Sequence, residues 1–193
     1  MDTDTIKARI QAMPDAEIPR RSVENSSRFD SLGDERLCEH AVQEIKRLAS
    51  ENIIDPLGDR VYFAPGATET MRDYALHLAA GQDKPLSAIR AKRVLGIALA
   101  QDTVENPFAI IQQENGRKAY LSLYTDGKDF TNNIIVGVEE GQNGRVVTSM
   151  LTADKKNDKR AAVREFKKRI SSSKEVLYIW EGLSGHPRPS SEQ

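Results

Sequence analysis

Cysteine occurs once in this chain, at Cys38. That excludes an intramolecular disulfide and any zinc site built on a cysteine cluster, and it leaves the redox compartment open. Histidine occurs three times, at His40, His77 and His186, so imidazole chemistry has few sources. No apolar run approaches the roughly 20 residues that cross a bilayer, and the first residues lack a basic region followed by an apolar stretch. A soluble protein with no ordinary secretion signal is expected. Also missing are a GxxxxGK[ST] loop, a GxSxG elbow, an HExxH pair and any Asp/Glu cluster at metal spacing, so NTPase, α/β-hydrolase and zinc-protease chemistries have no support. No metal and no cofactor is expected.

What is present is charge, unevenly spread. The 193 residues carry a net charge of −1, so attraction to nucleic acid must come from local clustering. Residues 1–58 hold 8 basic and 12 acidic side chains, giving −4, whereas residues 154–174 hold 9 basic and 3 acidic, giving +6. The acidic start is therefore a candidate to fold back on the basic element and mask it. Hydrophobic content of 38% is enough for one core.

Local patterns give an α+β expectation: N-terminal helices packed on a small antiparallel meander sheet of four to five strands, with one late amphipathic helix. Residues 1–33, with Pro14, Pro19 and the polar run RRSVENSSRFDSLG, read as a disordered linker or arm with a short helix near Thr5 to Ala12. Residues 34–181 form the single domain, and 182–193 a disordered tail. Asp34 caps a helix to about Asn52 with Leu37, Ala41, Ile45 and Leu48 on one face. RVYF (60–63) is a short strand. Helices follow over Thr68 to Ala80 and Leu86 to Ala100, and Asn106-Pro107 opens the sheet. Strands are expected at 108–112, 118–125, 133–139 and 145–151, punctuated by Asn115-Gly116, Asp126-Gly127 and Asn143-Gly144. In the second strand Ala119, Leu121 and Leu123 should face the core, leaving Tyr120, Ser122 and Tyr124 as a hydroxyl face. A helix to about Ser171 buries Ala162, Val163, Phe166 and Ile170, and Glu175 to Trp180 closes the fold.

The runs NPFAIIQQENGRKAYLSLYTDGKD, NNIIVGVEEGQNGRVVTSMLT and SSSKEVLYIWE, preceded by YALHLAAG and SAIRAKRVL, resemble the phage branch of the barnase, EndoU, colicin and RelE-like (BECR) nuclease superfamily. Such modules sit at the C-termini of MuF-type phage and polymorphic-toxin proteins. The likeness spans about residues 60 to 181. It implies a toxin-like, metal-independent ribonuclease that cleaves RNA, with tRNA among the candidate substrates, through attack by the neighbouring 2′-hydroxyl. That chemistry needs an acid or base near neutrality and donors for the phosphorane oxygens.

Catalytic candidates implied by the resemblance are His77, Arg90 and Thr148. His77 stands near the end of its helix, where the dipole favours the protonated ring; the competing reading is a half-buried histidine bonded to a helix carbonyl. His40 reads as surface or core filler, and His186 sits in a proline-rich tail. Arg90 would clamp phosphate in a two-point contact, or else belong with Lys92 and Arg93 to a solvated face. Thr148 is preferred to Ser149 because it shares a face with Val146, against the plain alternative of a good strand former. Substrate-binding candidates are Ser149, Lys155, Lys156, Arg160, Arg164 and Lys167, which with Lys159 and Lys168 form a basic patch able to hold phosphates without sequence choice. Tyr120, Tyr124 and Tyr178 either stack on bases or belong to the core.

EndoU-type enzymes use two histidines and a lysine, and only His77 falls inside the matching region. A two-histidine mechanism is therefore replaced by one with help from lysine, arginine or tyrosine. The rival readings are a catalytically inactive phage or prophage module that binds RNA or protein, and an ADP-ribosyltransferase-type toxin using Glu139 or Glu181. Expected partners are RNA, together with an immunity protein or a phage structural protein, and no membrane. The expected location is the cytoplasm of a target or host bacterium, or a phage particle.

Overall fold

Lys118 to Thr125 alternates small and aliphatic residues with Tyr120, Ser122 and Tyr124, and it becomes a strand buried on both faces of an eight-stranded sheet. In the computed structural model, residues 2–63, 86–125, 131–141, 144–153 and 161–184 are described. The elements are α1 (Thr3–Ala12), β1 (Arg21–Ser22), α2 (Asp34–Ser50), β2 (Ile53–Ile54), β3 (Arg60–Tyr62), α3 (Leu86–Ala98), α4 (Ala100–Glu105), β4 (Ala109–Gln112), β5 (Lys118–Thr125), β6 (Thr131–Gly141), β7 (Gly144–Ala153), α5 (Ala161–Ser171), β8 (Glu175–Ile179) and α6 (Glu181–Ser184).

The fold is α+β. Strands β8, β4, β5, β6 and β7 run antiparallel in that spatial order, which is the expected meander with the closing strand on its edge. The sheet then extends beyond the meander. Strand β3 joins β7 in parallel, β2 joins β3 antiparallel, and β1 lies parallel to the end of β5. Asn115-Gly116 turns β4 into β5: Gly116 takes φ +80°, a backbone region that side chains disfavour, and its N–H donates to Gln113 O at 2.9 Å.

Helices cover both faces of the sheet. On one face Ile110, Tyr120 and Tyr124 pack with Leu37, Ala41 and Leu48 of α2, Val94 and Ile97 of α3, and Val104 of α4. On the other, Ala109, Ile111, Leu121 and Leu123 pack with Ile6 and Ile10 of α1 and Val163, Phe166 and Ile170 of α5. The anticipated hydroxyl face is therefore not solvated: Tyr120, Ser122 and Tyr124 are 0%, 1% and 2% exposed. Each hydroxyl has a hydrogen-bond partner supplied from another part of the chain, which offsets the cost of burying it. For Tyr120 that partner is Asp55, whose Oδ2 accepts the phenol proton at 2.6 Å. The other Asp55 oxygen takes the backbone N–H groups of Leu57 and Asp59, both at 2.9 Å.

The first 33 residues, expected as a disordered arm, are part of the core. Asp2 caps α1, its Oδ1 accepting the Thr5 N–H at 3.0 Å and its Oδ2 the Thr5 hydroxyl at 2.6 Å; these bonds hold the Asp2 carboxyl below its usual pKa. Ile6 and Ile10, one helical turn apart, bury against the sheet, and Ile18 follows at 2% exposure. Phe29, 5% exposed, joins the core on the other face, with Val23 and Leu32 packed against it. Helix α2 starts at Asp34 with Gly33 in the capping position, one residue from the expected cap, and its four predicted core residues are all buried. The expected helix Thr68 to Ala80 lies outside the described residues. So does most of the 182–193 tail, of which residues up to Ser184 continue α6.

Candidate functional site

Of the three catalytic candidates, His77 lies outside the described residues, while Arg90 belongs to α3 and Thr148 to β7. Helix α3 is in contact with β7. Thr148 has a special backbone position: Ser149 pairs with Gly137 and Val147 with Val138, leaving Thr148 as an extra residue at a register shift. Such a β-bulge breaks simple alternation, so the expected shared face of Val146 and Thr148 cannot be counted through it. Bulges are enriched near active sites because they re-aim a side chain and interrupt pairing.

The basic patch is divided. Lys155, Lys156, Lys159 and Arg160 lie outside the described residues. Arg164 is exposed on α5, whereas Lys167, expected to bind substrate, is committed to the protein. Its ammonium meets Asp15 Oδ1 at 2.9 Å and Met13 O at 2.5 Å, with only 12% of the side chain exposed. Arg169 pairs with Glu165 at 2.7 Å. Helix α1 lies along α5, and Ser171 Oγ donates to Gln11 Oε1 at 3.1 Å, so the start of the chain does fold back on the basic helix. His40 meets Phe29 edge-on with ring centroids 5.3 Å apart, in keeping with a packing role. Glu139 on β6 and Glu181, which follows the edge strand β8, are separated by strands β5 and β4. Tyr120 and Tyr124 lie under helices and cannot stack on bases.

A polar network that the sequence did not reveal lies under α4. The α3 helix ends at Ala98, Leu99 bridges, and α4 turns Asp102 and Thr103 toward β5. Arg21 of β1 reaches the same point. Its Nη1 donates to Asp102 Oδ1 at 2.8 Å, and its Nη2 donates to Ser122 Oγ at 3.1 Å and Tyr124 OH at 3.2 Å. The guanidinium carbon also lies 5.1 Å from the Tyr124 ring centroid. Tyr124 donates its phenol proton to Asp102 Oδ2 at 2.9 Å, and Thr103 Oγ1 is 2.9 Å away. Burial raises the Tyr124 pKa well above its ordinary value, and the Asp102 carboxylate adds to the effect against the opposing Arg21 charge. Tyr124 is thus a fixed donor at neutral pH and not a base. Asp102 is visible in the sequence only as a polar residue before Asn106-Pro107; its role depends on an arginine in a segment read as an arm.

No group of three or more His, Cys, Asp or Glu side chains arranged to hold a metal occurs among the described residues. No helix among them is long and apolar enough to cross a membrane. Comparison with family models, with curated proteins and with solved structures finds no match for the chain.

Proposed function

We propose that this protein is a metal-independent ribonuclease of the BECR type, in which the 2′-oxygen of RNA attacks the adjacent phosphorus and the bond from phosphorus to the 5′-oxygen breaks. The observation that carries the reading is the contact of α3, the helix of Arg90, with β7 at whose bulge Thr148 lies. Two residues named from the sequence for the same phosphate thus belong to neighbouring elements. In this reading a guanidinium and a hydroxyl stabilise the negative charge that builds on the phosphorane oxygens, and His77 moves the proton from the 2′-hydroxyl toward the leaving 5′-oxygen. A short RNA with one 2′-deoxy substitution tests the chemistry directly. Cleavage should stop at that linkage alone; cleavage there at an unchanged rate would remove the 2′-oxygen as nucleophile and with it this reading.

A second reading, an RNA-holding module without catalysis, is favoured by one observation. The titratable groups at the middle of the sheet are already engaged: Asp55 by Tyr120 and two backbone amides, Asp102 by Arg21 and Tyr124. A general base must then come from His77. Binding of intact RNA without product would favour this second reading.

A further inference from the structure

Strand β5 has two different neighbours on one edge. Strand β4 covers Lys118 to Leu121 in antiparallel register, and β1 covers Tyr124 and Thr125 in parallel register. Between them Ser122 and Leu123 have no strand partner on that edge. Proline explains why the gap stays open: Pro107 leads into β4 and Pro19 into β1, and neither has an N–H with which to continue a ladder. The result is a crevice of about 180 Å³ with Ser122 and Leu123 in its floor, Arg20 and Arg21 on one side, Phe108 on the other and Trp180 at its rim.

The polar groups of this crevice are not all satisfied from within. Arg20 Nε is buried without a hydrogen-bond partner. The same guanidinium donates through Nη2 to the Asp15 carbonyl at 2.5 Å, and among the described residues it meets no carboxylate. Arg21 is neutralised by Asp102, so the excess positive charge belongs to Arg20. Ser122 Oγ accepts from Arg21 on the opposite face of β5 from Leu123 and is not among the donors of the crevice.

The apolar wall is held in place. The Trp180 backbone N–H donates to Phe108 O at 2.7 Å, and the indole lies against Gly182. A Cβ added there would come within 2.3 Å of the ring carbons Cη2 and Cζ3, so only glycine leaves room for the ring in this position.

We propose that this crevice is a binding site for a small organic anion: a carboxylate or phosphate head that accepts hydrogen bonds from the Arg20 guanidinium, and one flat ring laid against Trp180 and Phe108. The volume is below the roughly 300 Å³ at which drug-sized sites begin, so it takes a single ring and head. The site is separate from the α3 and β7 contact, since β6 lies between β5 and β7, and it does not rest on the ribonuclease reading.

Trp180 is the only tryptophan of the chain, so fluorescence excited selectively at the indole and not at the five tyrosines reports on the crevice. Benzoate, uridine 5′-monophosphate and inorganic phosphate are titrated separately to about 10 mM, a range that captures even fragment-level affinity. A saturable change with benzoate only assigns an aromatic carboxylate, and one with the nucleotide only assigns a phosphate-bearing ring. Arg20→Gln should weaken binding of the responding probe by about tenfold or more, while Arg36→Gln, on the exposed side of α2, should leave it unchanged. No saturable response to benzoate or the nucleotide overturns the proposal, as does equal affinity in Arg20→Gln. Should Arg20→Gln unfold, amide and indole NMR shifts of the unaltered protein decide: shifts at Arg20, Ser122 and the Trp180 indole are expected, and shifts confined elsewhere overturn the site.

Discussion

Arg21 and Asp102, 81 positions apart in the chain, meet at 2.8 Å and tie the N-terminal segment to helix α4 over the face of β5. Removing the guanidinium strands more than one partner, because Ser122 and Tyr124 also accept from it. Arg21→Ala should therefore lower stability by roughly 1–3 kcal/mol, with the Asp102 share small because that carboxylate and the arginine are 41% and 37% exposed. Urea unfolding measures it, and a double-mutant cycle with Asp102→Ala should return a nonzero coupling. Additive single effects would mean that the pair is a surface contact without energetic consequence.

Tyr124 gives this region a pH dependence. Its folded pKa is raised by burial above the ordinary tyrosine value of 10.0. Below pH 10 both folded and unfolded states carry the neutral phenol, and the stabilisation is intact. Above pH 10 the unfolded chain ionises first, so stability falls as pH rises toward the folded-state pKa. Tyr124→Phe should be less stable at neutral pH yet lose less stability between pH 10 and 11 than the unaltered protein. Parallel curves for the two would exclude this phenol as the source of the alkaline slope.

Helix α1 is a structural part of the domain. Ile10 is 1% exposed between the sheet and α5, and Ile10→Ala should cost about 2–5 kcal/mol, depending on how far the cavity collapses. Thermal and urea unfolding should both show the loss. A change within experimental scatter would return residues 1–33 to the status of an arm.

The sheet was readable in the sequence because period-two alternation and the Asn-Gly and Asp-Gly dipeptides are local signals. The four expected strands fall within one or two residues of those observed, and the core stripes of α2 and α5 match residue for residue. What alternation could not reveal is that both faces of β5 are covered. Serine and tyrosine look like solvent-facing residues until their partners are known, and those partners, Asp55, Asp102 and Arg21, are distant in sequence. The N-terminal segment was misread for a related reason: Ile6, Ile10, Ile18 and Phe29 are spread too thinly to mark a packed unit, and only the surfaces of the sheet and its helices give them one. The bulge at Thr148 is set by pairing with Gly137 and Val138, which no local pattern encodes. The crevice likewise arises where two strands share one edge, and Pro19 and Pro107 were legible only as breakers.

The Asp15 to Lys167 ion pair makes the masking of α5 testable without removing part of the core. Asp15→Asn frees one ammonium, so RNA affinity at low salt should rise, roughly two- to fivefold, and the slope of log affinity against log salt should steepen by about the release of one counterion. Unchanged affinity and slope would leave Asp15 with a packing role only.

Gly182 holds Trp180 in place by having no side chain. Gly182→Ala should push the indole off its position and shift the fluorescence maximum, while the far-ultraviolet circular dichroism stays the same. An unchanged emission spectrum would mean that the ring accommodates a methyl group, against the 2.3 Å approach.

The most direct test of the proposed activity is cleavage of total bacterial RNA by the purified protein in chelator, with His77→Ala, Arg90→Ala and Thr148→Ala alongside and the product ends analysed. The account predicts discrete fragments ending in 2′,3′-cyclic phosphate, with rates lowered by about 10²–10³ in Arg90→Ala and Thr148→Ala and by about 10²–10⁴ in His77→Ala. Intact RNA at high protein concentration, or cleavage that all three substitutions leave untouched, would contradict it.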